Sequence, residues 1–297
     1  MIVPITAELC DSAGAQVGEG PSWDARSDTL TWVDITAGVV HVADGTGRRI
    51  SSHQVGQHVG AALPAAAGGW LLATQQGFSV MANSGKVSPL LVVHESPLLR
   101  FNDAKCDPRG IAFAGTMPYS PIPGVAALYR LDPGPTATIV LDRLTLANGL
   151  GWSPDGRTLW FTDSATQTIA AYDYHLDDGT IGALRTSIII PSKLGMPDGL
   201  CVDGDGCVWT ALWGGSAVHR YTPEGNLDCV IRLPVEQVTS CTFGGPDGHT
   251  LFITTAVHEM TEIVRASQPL AGGLFAVSLP QSGPAATPWE TNDSYSK

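Results

Sequence analysis

The sequence predicts an all-β chain, a six-bladed β-propeller forming one domain over residues 1–297. Three observations lead there. One pattern recurs six times, and its copies stand 41, 42, 46, 50 and 41 residues apart. No run reads as a long amphipathic helix, because the Ala-rich stretches are cut by Gly and Pro. A period of about 40–50 residues with several short strands per unit marks a propeller, in which each unit is one radial sheet. Six units fill the chain and leave no room for a second domain. The competing architecture is a seven-bladed ring with one degenerate blade.

Each copy runs from a small or polar residue into an apolar strand, a Gly/Asp/Pro turn and a second apolar strand. In order they are GEGPSWDARSDTLTWVD, VGAALPAAAGGWLLAT, FNDAKCDPRGIAFAGT, ANGLGWSPDGRTLWFTD, PDGLCVDGDGCVWTAL and VTSCTFGGPDGHTLFITT. The turns at Pro154-Asp155-Gly156, Asp203-Gly204-Asp205-Gly206 and Pro246-Asp247-Gly248 hold residues that tolerate φ > 0 or hydrogen-bond their own backbone. The second of these hints at a calcium loop but lacks the remaining ligands and distal Glu, so it reads as a hairpin turn. The flanking runs are rich in Trp, Phe, Val and Leu with the period-2 character of strands. Trp23, Trp32, Trp152, Trp160 and Trp209 fall at repeat positions and are expected in blade cores.

Aligning the first strands sets Glu19, Gly60, Asn102, Asn148, Asp198 and Thr239 in equivalent places. Each stands four residues before Trp23, Pro64, Cys106, Trp152, Val202 or Phe243. The first strand of a propeller blade lines the central channel, so these positions form a ring. One polar residue there reads as a strand-end cap bonded to a neighbouring blade. Four on one ring (Glu, Asn, Asn and Asp) point instead to a hard cation, which satisfies converging oxygens that would otherwise be costly to bury. Glu, Asn and Asp offer only oxygen, the ligand set of Ca²⁺, Mg²⁺ or Mn²⁺, and Zn²⁺ can also occupy such a site.

Composition narrows the partners. Asp and Glu outnumber Lys and Arg by 28 to 16, a net charge of −12, the wrong sign for sequence-independent nucleic-acid binding. No basic cluster suits an anionic lipid surface. The most apolar stretch, 60–73, is broken by Pro64, Gly68 and Gly69 and is too short to span a bilayer. Nucleic acid and membrane are therefore set aside as partners. The first basic residue is Arg26, so no secretory signal is expected. The six cysteines lack C-x-x-C spacing and read as reduced core thiols of a cytoplasmic protein. No G-x-S-x-G elbow, P-loop or dinucleotide fingerprint occurs. His258-Glu259-Met260-Thr261-Glu262 lacks the second histidine of a zinc motif, and the eight histidines are expected on surfaces and loops.

Several runs together resemble the family of gluconolactonase, regucalcin (senescence marker protein) and luciferin-regenerating enzyme. They are Gly18-Glu19-Gly20-Pro21-Ser22-Trp23, Arg100-Phe101-Asn102-Asp103-Ala104-Lys105-Cys106-Asp107-Pro108, Phe113-Ala114-Gly115-Thr116-Met117, Asn148-Gly149-Leu150-Gly151-Trp152-Ser153 and Met196-Pro197-Asp198-Gly199. The resemblance covers nearly the whole chain in consistent order. It implies a six-bladed propeller with one divalent cation near the channel mouth and a sugar lactone as small-molecule substrate. It further implies that Glu19, Asn148 and Asp198 are metal ligands, that Asp198 is also the acid/base, and that Arg100 and Asn102 contact substrate. Two departures stand out. Ser120, in the run Pro118-Tyr119-Ser120-Pro121-Ile122-Pro123-Gly124, stands where regucalcin-like members carry an acidic contact. The usual Asn-Asp-Gly reads Asn102-Asp103-Ala104. The metal set is intact, while the Pro-rich segment shifts preference away from gluconolactone itself.

The chemistry expected is ring opening of an aldonolactone. An open-site cation polarises an ester carbonyl and lowers the pKa of bound water, and Asp198 takes the proton. Arg100 has donors suited to ring and hydroxyl oxygens and to the developing carboxylate. Two other functions fit the same ring: a phosphotriesterase of the diisopropyl fluorophosphatase type, and a non-catalytic calcium-binding propeller.

Overall fold

The computed structural model describes residues 5–290 apart from Pro121, Pro133 and Pro135. Pro121 of the Pro-rich segment, and residues 1–4 and 291–297 of the expected domain, lie outside the described residues. The described chain forms six sheets, antiparallel but for one added edge strand, and the chain passes outward through each from its innermost strand. Those strands are Gly18–Asp24, Val59–Pro64, Leu99–Cys106, Ala147–Trp152, Met196–Val202 and Val238–Gly244, in blades one to six. Each packs against the next, and the sixth against the first, so they surround one axis. Blade six takes its outer strand from the start of the chain: Glu8–Asp11 pairs antiparallel with Leu274–Ser278. Ile5–Thr6 adds in parallel to Leu227–Arg232 on the edge of blade five. The six sheets account for every named strand, which removes the seven-bladed alternative among the described residues. The only α-helix there, Glu262–Ser267, is capped by the Thr261 hydroxyl and lies in a loop of blade six.

The core sits between blades. Trp23 and Trp32 of blade one pack with Phe252 and Leu274 of blade six, and Phe113 of blade three meets Trp152, Phe161 and Tyr174 of blade four. Trp23, Trp32, Trp152, Trp160 and Trp209 are all buried, as their repeat positions require. The hairpin at Asp203 is also as expected. Its carboxylate accepts from the backbone N–H groups of Asp205 and Cys207, at 3.0 Å each, and from Arg220 Nε at 2.7 Å. All six cysteines are free thiols, four of them buried. The expectation for the histidines needs correction at two positions. His41 and His219 are buried in the strands Val39–Asp44 and Ala217–Tyr221. Each is accommodated by a hydroxyl, Ser52 Oγ at 2.8 Å and Tyr221 Oη at 3.1 Å.

Every innermost strand is irregular at the ring position or, in blade one, just after it. The ladder register shifts between Glu19 and Ser22, Val59 and Ala61, Phe101 and Ala104, Ala147 and Leu150, Pro197 and Leu200, and Val238 and Ser240. A bulge leaves a residue outside the ladder and re-aims its side chain. The gap takes in Gly60, Asn102, Asn148, Asp198 and Thr239 themselves, while Glu19 still pairs with Val33 and its gap follows at Gly20 and Pro21. The glycines beside them permit close approach of neighbouring strands. A Cβ on Gly149 would lie 2.6 Å from both Asp198 O and Leu200 N, and one on Gly199 would collide with Ser240.

The two ends of the channel differ. At the end away from the ring, the segment 282–289 crosses the face, bonding to Gly204, Gly248, Trp23 and Pro64 of four blades. Beneath it lies a cavity of about 430 Å³ reached by Asp103, Lys105, Ser22 and Ser240. The ring residues Glu19, Asn148 and Asp198 do not line it; they lie toward the other mouth.

Candidate active site

Two short carboxylate clasps fix the approach to the ring. Asp34, ending the second strand of blade one, accepts from the backbone N–H groups of Gln16 and Val17 at 2.8 and 3.1 Å. Asp163 does the same in blade four for Thr145 and Leu146, at 3.0 and 2.9 Å. Each clasp holds the chain just before an innermost strand begins, and so sets the height of Glu19 or Asn148. The repeated endings T-W-V-D and F-T-D carried this signal in the sequence, but no role was read from them.

Glu19, Arg100, Asn102, Asp103, Asn148 and Asp198 are all buried. The Asn148 amide donates to the Asp198 carboxylate in the next blade and to Ser164 Oγ at 3.1 Å. Both of its N–H bonds are thereby used, and Asn148 Oδ1 is left buried with no partner. Glu19 Oε2 accepts from the N–H of Gly20 at 2.8 Å. Burial first, then the Asp198 and Asp103 charges, push the Glu19 carboxyl well above the usual range. Burial likewise raises Asp198, against the hydrogen bond from Asn148. Asp103, which had drawn no role from the sequence, is pushed up to about 6 by burial despite nearby Lys105.

Arg100 forms no salt bridge among the described residues. Its Nη1 donates to Phe101 O at 3.0 Å and to Asn102 Oδ1 at 2.7 Å, and Asn102 Nδ2 passes the chain on to Ala147 O at 3.1 Å. Burial lowers the guanidinium to about 10, while Tyr119, Glu19 and Asp198 act in the opposite sense. Arg100 is thus within electrostatic reach of both carboxylates. Ser120 is exposed on the loop beyond Pro118. The side chain from that loop that interacts with Arg100 is Tyr119, whose hydroxyl also meets His58 Nδ1 at 2.8 Å. Sequence reading missed both Tyr119 and His58, since neither lies on the ring.

These residues fit a divalent cation. Burial holds both carboxyls high, Asp103 adds like charge to each and Asp198 adds more to Glu19, with the Arg100 charge opposing them, and the Asn148 amide oxygen lacks a donor. A cation supplies the missing positive charge and a partner for that oxygen. Among the described residues no three His, Cys, Asp or Glu side chains cluster in a metal-holding arrangement. The set depends on the Asn148 amide to complete it.

Fold and site together define a six-bladed propeller with buried carboxylate and amide oxygens gathered toward one mouth of its channel. The model of the SMP-30/Gluconolactonase/LRE-like region matches residues 17–257, and the chain belongs to this family. It is 37% identical to regucalcin of Danio rerio over 267 residues, covering 89% of this chain and 90% of that protein. It is 35% identical over 280 residues to a Bacillus subtilis (strain 168) protein named provisionally as sugar lactone lactonase YvrE, covering 93% and 95% of the two chains. The crystal structure of a calcium-binding protein, regucalcin, from Agrobacterium tumefaciens has the same fold. Its TM-score is 0.92 at 24% identity, over 97% of this chain and 99% of that one.

Proposed function

We propose that this protein is a divalent-cation-dependent lactonase that opens the ring of a sugar lactone by hydrolysis. The observation that carries the reading is the unpartnered Asn148 Oδ1 beside the buried Asp198 and Glu19 carboxylates. Membership of a family with gluconolactonase in its description, and a similar protein named for sugar lactones, supports the reaction class.

Glu19, Asn148 and Asp198 would hold the cation, which when bound supplies positive charge to polarise the ester carbonyl. Arg100 and Asn102, already bonded to each other, present donors to the ring and hydroxyl oxygens and to the carboxylate that forms. Asp198 accepts the proton of the attacking water. The proton later reaches the alkoxide leaving group, so one ester C–O bond breaks as one C–O bond forms. No other buried carboxylate on the ring except Glu19 could share that task, and Glu19 already accepts from the backbone of Gly20.

The test is a pH-stat assay on metal-stripped protein with five- and six-membered aldonolactones, adding Ca²⁺, Mg²⁺, Mn²⁺ or Zn²⁺ in turn. Turnover restored by a cation is expected. Full turnover in excess chelator, with metal absence confirmed by elemental analysis, would overturn the cation's role. Silence with all four cations would overturn the lactonase reading.

A further inference from the structure

The end of blade three beyond Arg100 carries exposed apolar side chains. Leu98, Tyr119, Ile122 and Val125 are 59, 43, 39 and 43% exposed, four large hydrophobic side chains at one end of blade three. Their placement follows from the ladder. Leu99 pairs with Pro118, Leu98 O accepts from Tyr119 N at 3.0 Å, and the loop returns at Ala126 opposite Leu144. Both ends of the loop are therefore fixed at the end where Arg100 and Asn102 lie. Tyr119 does not hang free. Its hydroxyl bonds to His58 Nδ1, and its ring meets the His58 ring edge-on with centroids 5.6 Å apart. The Leu99–Pro118 pair that carries Leu98 and Tyr119 stands next in the ladder to the Arg100–Met117 pair, so this exposed surface borders the strand that bears the buried donors of the site. No acidic side chain stands in the described part of this loop, so the groups that would favour a polyol are missing here.

We propose that the lactone this site takes carries an aliphatic or aromatic substituent, seated on Leu98, Tyr119, Ile122 and Val125, with the His58–Tyr119 pair as the specificity-determining contact. This deepens the lactonase reading and rests on it for the reacting group. A substituent lying on a half-exposed apolar surface gains less than one that is wholly enclosed. About twofold in kcat/KM per methylene is expected, half the effect of complete burial in logarithmic terms.

The experiment measures kcat/KM, with the cation present, for six-membered lactones bearing methyl, propyl and pentyl groups. A rise on the order of tenfold across the series is expected. In Leu98→Ser/Ile122→Ser the pentyl-to-methyl ratio should fall by about fivefold. Tyr119→Phe, which keeps the ring but frees it from His58, should reduce the ratio less than Tyr119→Ala. Affinity for non-hydrolysable lactams carrying the same substituents, read by calorimetry, separates the two proposals. If no lactone is turned over yet lactam affinity climbs with chain length, the surface assignment stands and the lactonase reading fails. Flat dependence on chain length in both assays, or ratios unchanged in the variants, would overturn the substituent proposal.

Discussion

Asn148 donates its side-chain amide to Asp198 across the gap between blades four and five, and in doing so leaves its own oxygen buried and unpaired. An unsatisfied buried acceptor costs about 1–3 kcal/mol. The arrangement persists because the ring bulges fix both residues. Asn148 follows Ala147 and Asp198 follows Pro197, each the last paired residue before its register shift. Ladder geometry thus holds a carboxylate and an amide oxygen side by side in a place where hydrogen bonding alone cannot satisfy them. A cation can.

Close strand approach is the first testable consequence. Gly149→Ala would place a methyl 2.6 Å from Asp198 O and Leu200 N, both backbone atoms that cannot step aside. Asp198 should shift, weakening cation affinity by about tenfold or more and lowering kcat/KM with it. Gly151→Ala is the control. Its nearest neighbours are side-chain carbons of Leu200 and Val202 at 3.1 Å, which can adjust. Equal effects from the two variants would mean that backbone approach at Gly149 does not position Asp198.

The buried histidines give a pH dependence of stability. Burial lowers His41 and His219 to about 4, against an ordinary value of 6.5. Their folded pKa is depressed, so the unfolded chain binds their protons first as the pH falls. Stability is fully present above pH 6.5 and declines as the pH drops toward 4, by about 2 kcal/mol per histidine after allowance for residual screening. Carboxylates also titrate near the lower end, so the readout is a difference. The fall in Tm between pH 7 and 4 should be shallower in His41→Gln and in His219→Gln than in the parent. Parallel curves would show that these rings are protonated in the fold.

Arg220 ties the Asp203 hairpin of blade five to its neighbouring strands. It is buried over Trp209 and bonds Asp203, Asp205 and Asp228 at 2.7, 2.8 and 2.5 Å, with Asp203 itself fully buried. Arg220→Met would strand the Asp203 charge and should cost about 3–5 kcal/mol. Denaturant midpoints check this. Arg143→Met, which removes an ion pair between two exposed side chains, should leave the midpoint where it was.

Much of this was legible beforehand, for reasons that can be named. The blades could be read because turn chemistry and apolar strands repeat, and Glu19, Asn102, Asn148 and Asp198 because the repeat put polar residues where its apolar grammar has no need of them. The outer strand of blade six could not be read. Glu8–Asp11 joins Leu274–Ser278 only through ring closure, which has no local signature. His58 and Tyr119 escaped for a related reason. They sit in loops of different blades, 61 residues apart, and meet only in three dimensions. The burial of His41 and His219 depended on single hydroxyl partners, Ser52 and Tyr221, that no spacing rule predicts.

The sharpest test sets Asp198 against its neighbour. Asp198→Asn keeps an oxygen of nearly the same size while removing the proton acceptor and one negative charge. At saturating cation it should lower kcat by about 10²–10⁴-fold, the usual contribution of a positioned general base. Some cation affinity should go as well, because a charged ligand becomes neutral. Asn148→Asp does the reverse. It adds charge and should tighten the cation, but it also replaces the amide that donates to Asp198 with a second carboxylate, leaving that bond unmade or shared through a proton. Its kcat loss should be the smaller of the two and should not respond to more cation. Calorimetric titration must confirm that each variant is filled before its rate is compared, so that occupancy does not pass for chemistry. Near-parental kcat in a fully loaded Asp198→Asn would make Asp198 a ligand only, with the proton leaving through Glu19 or through solvent.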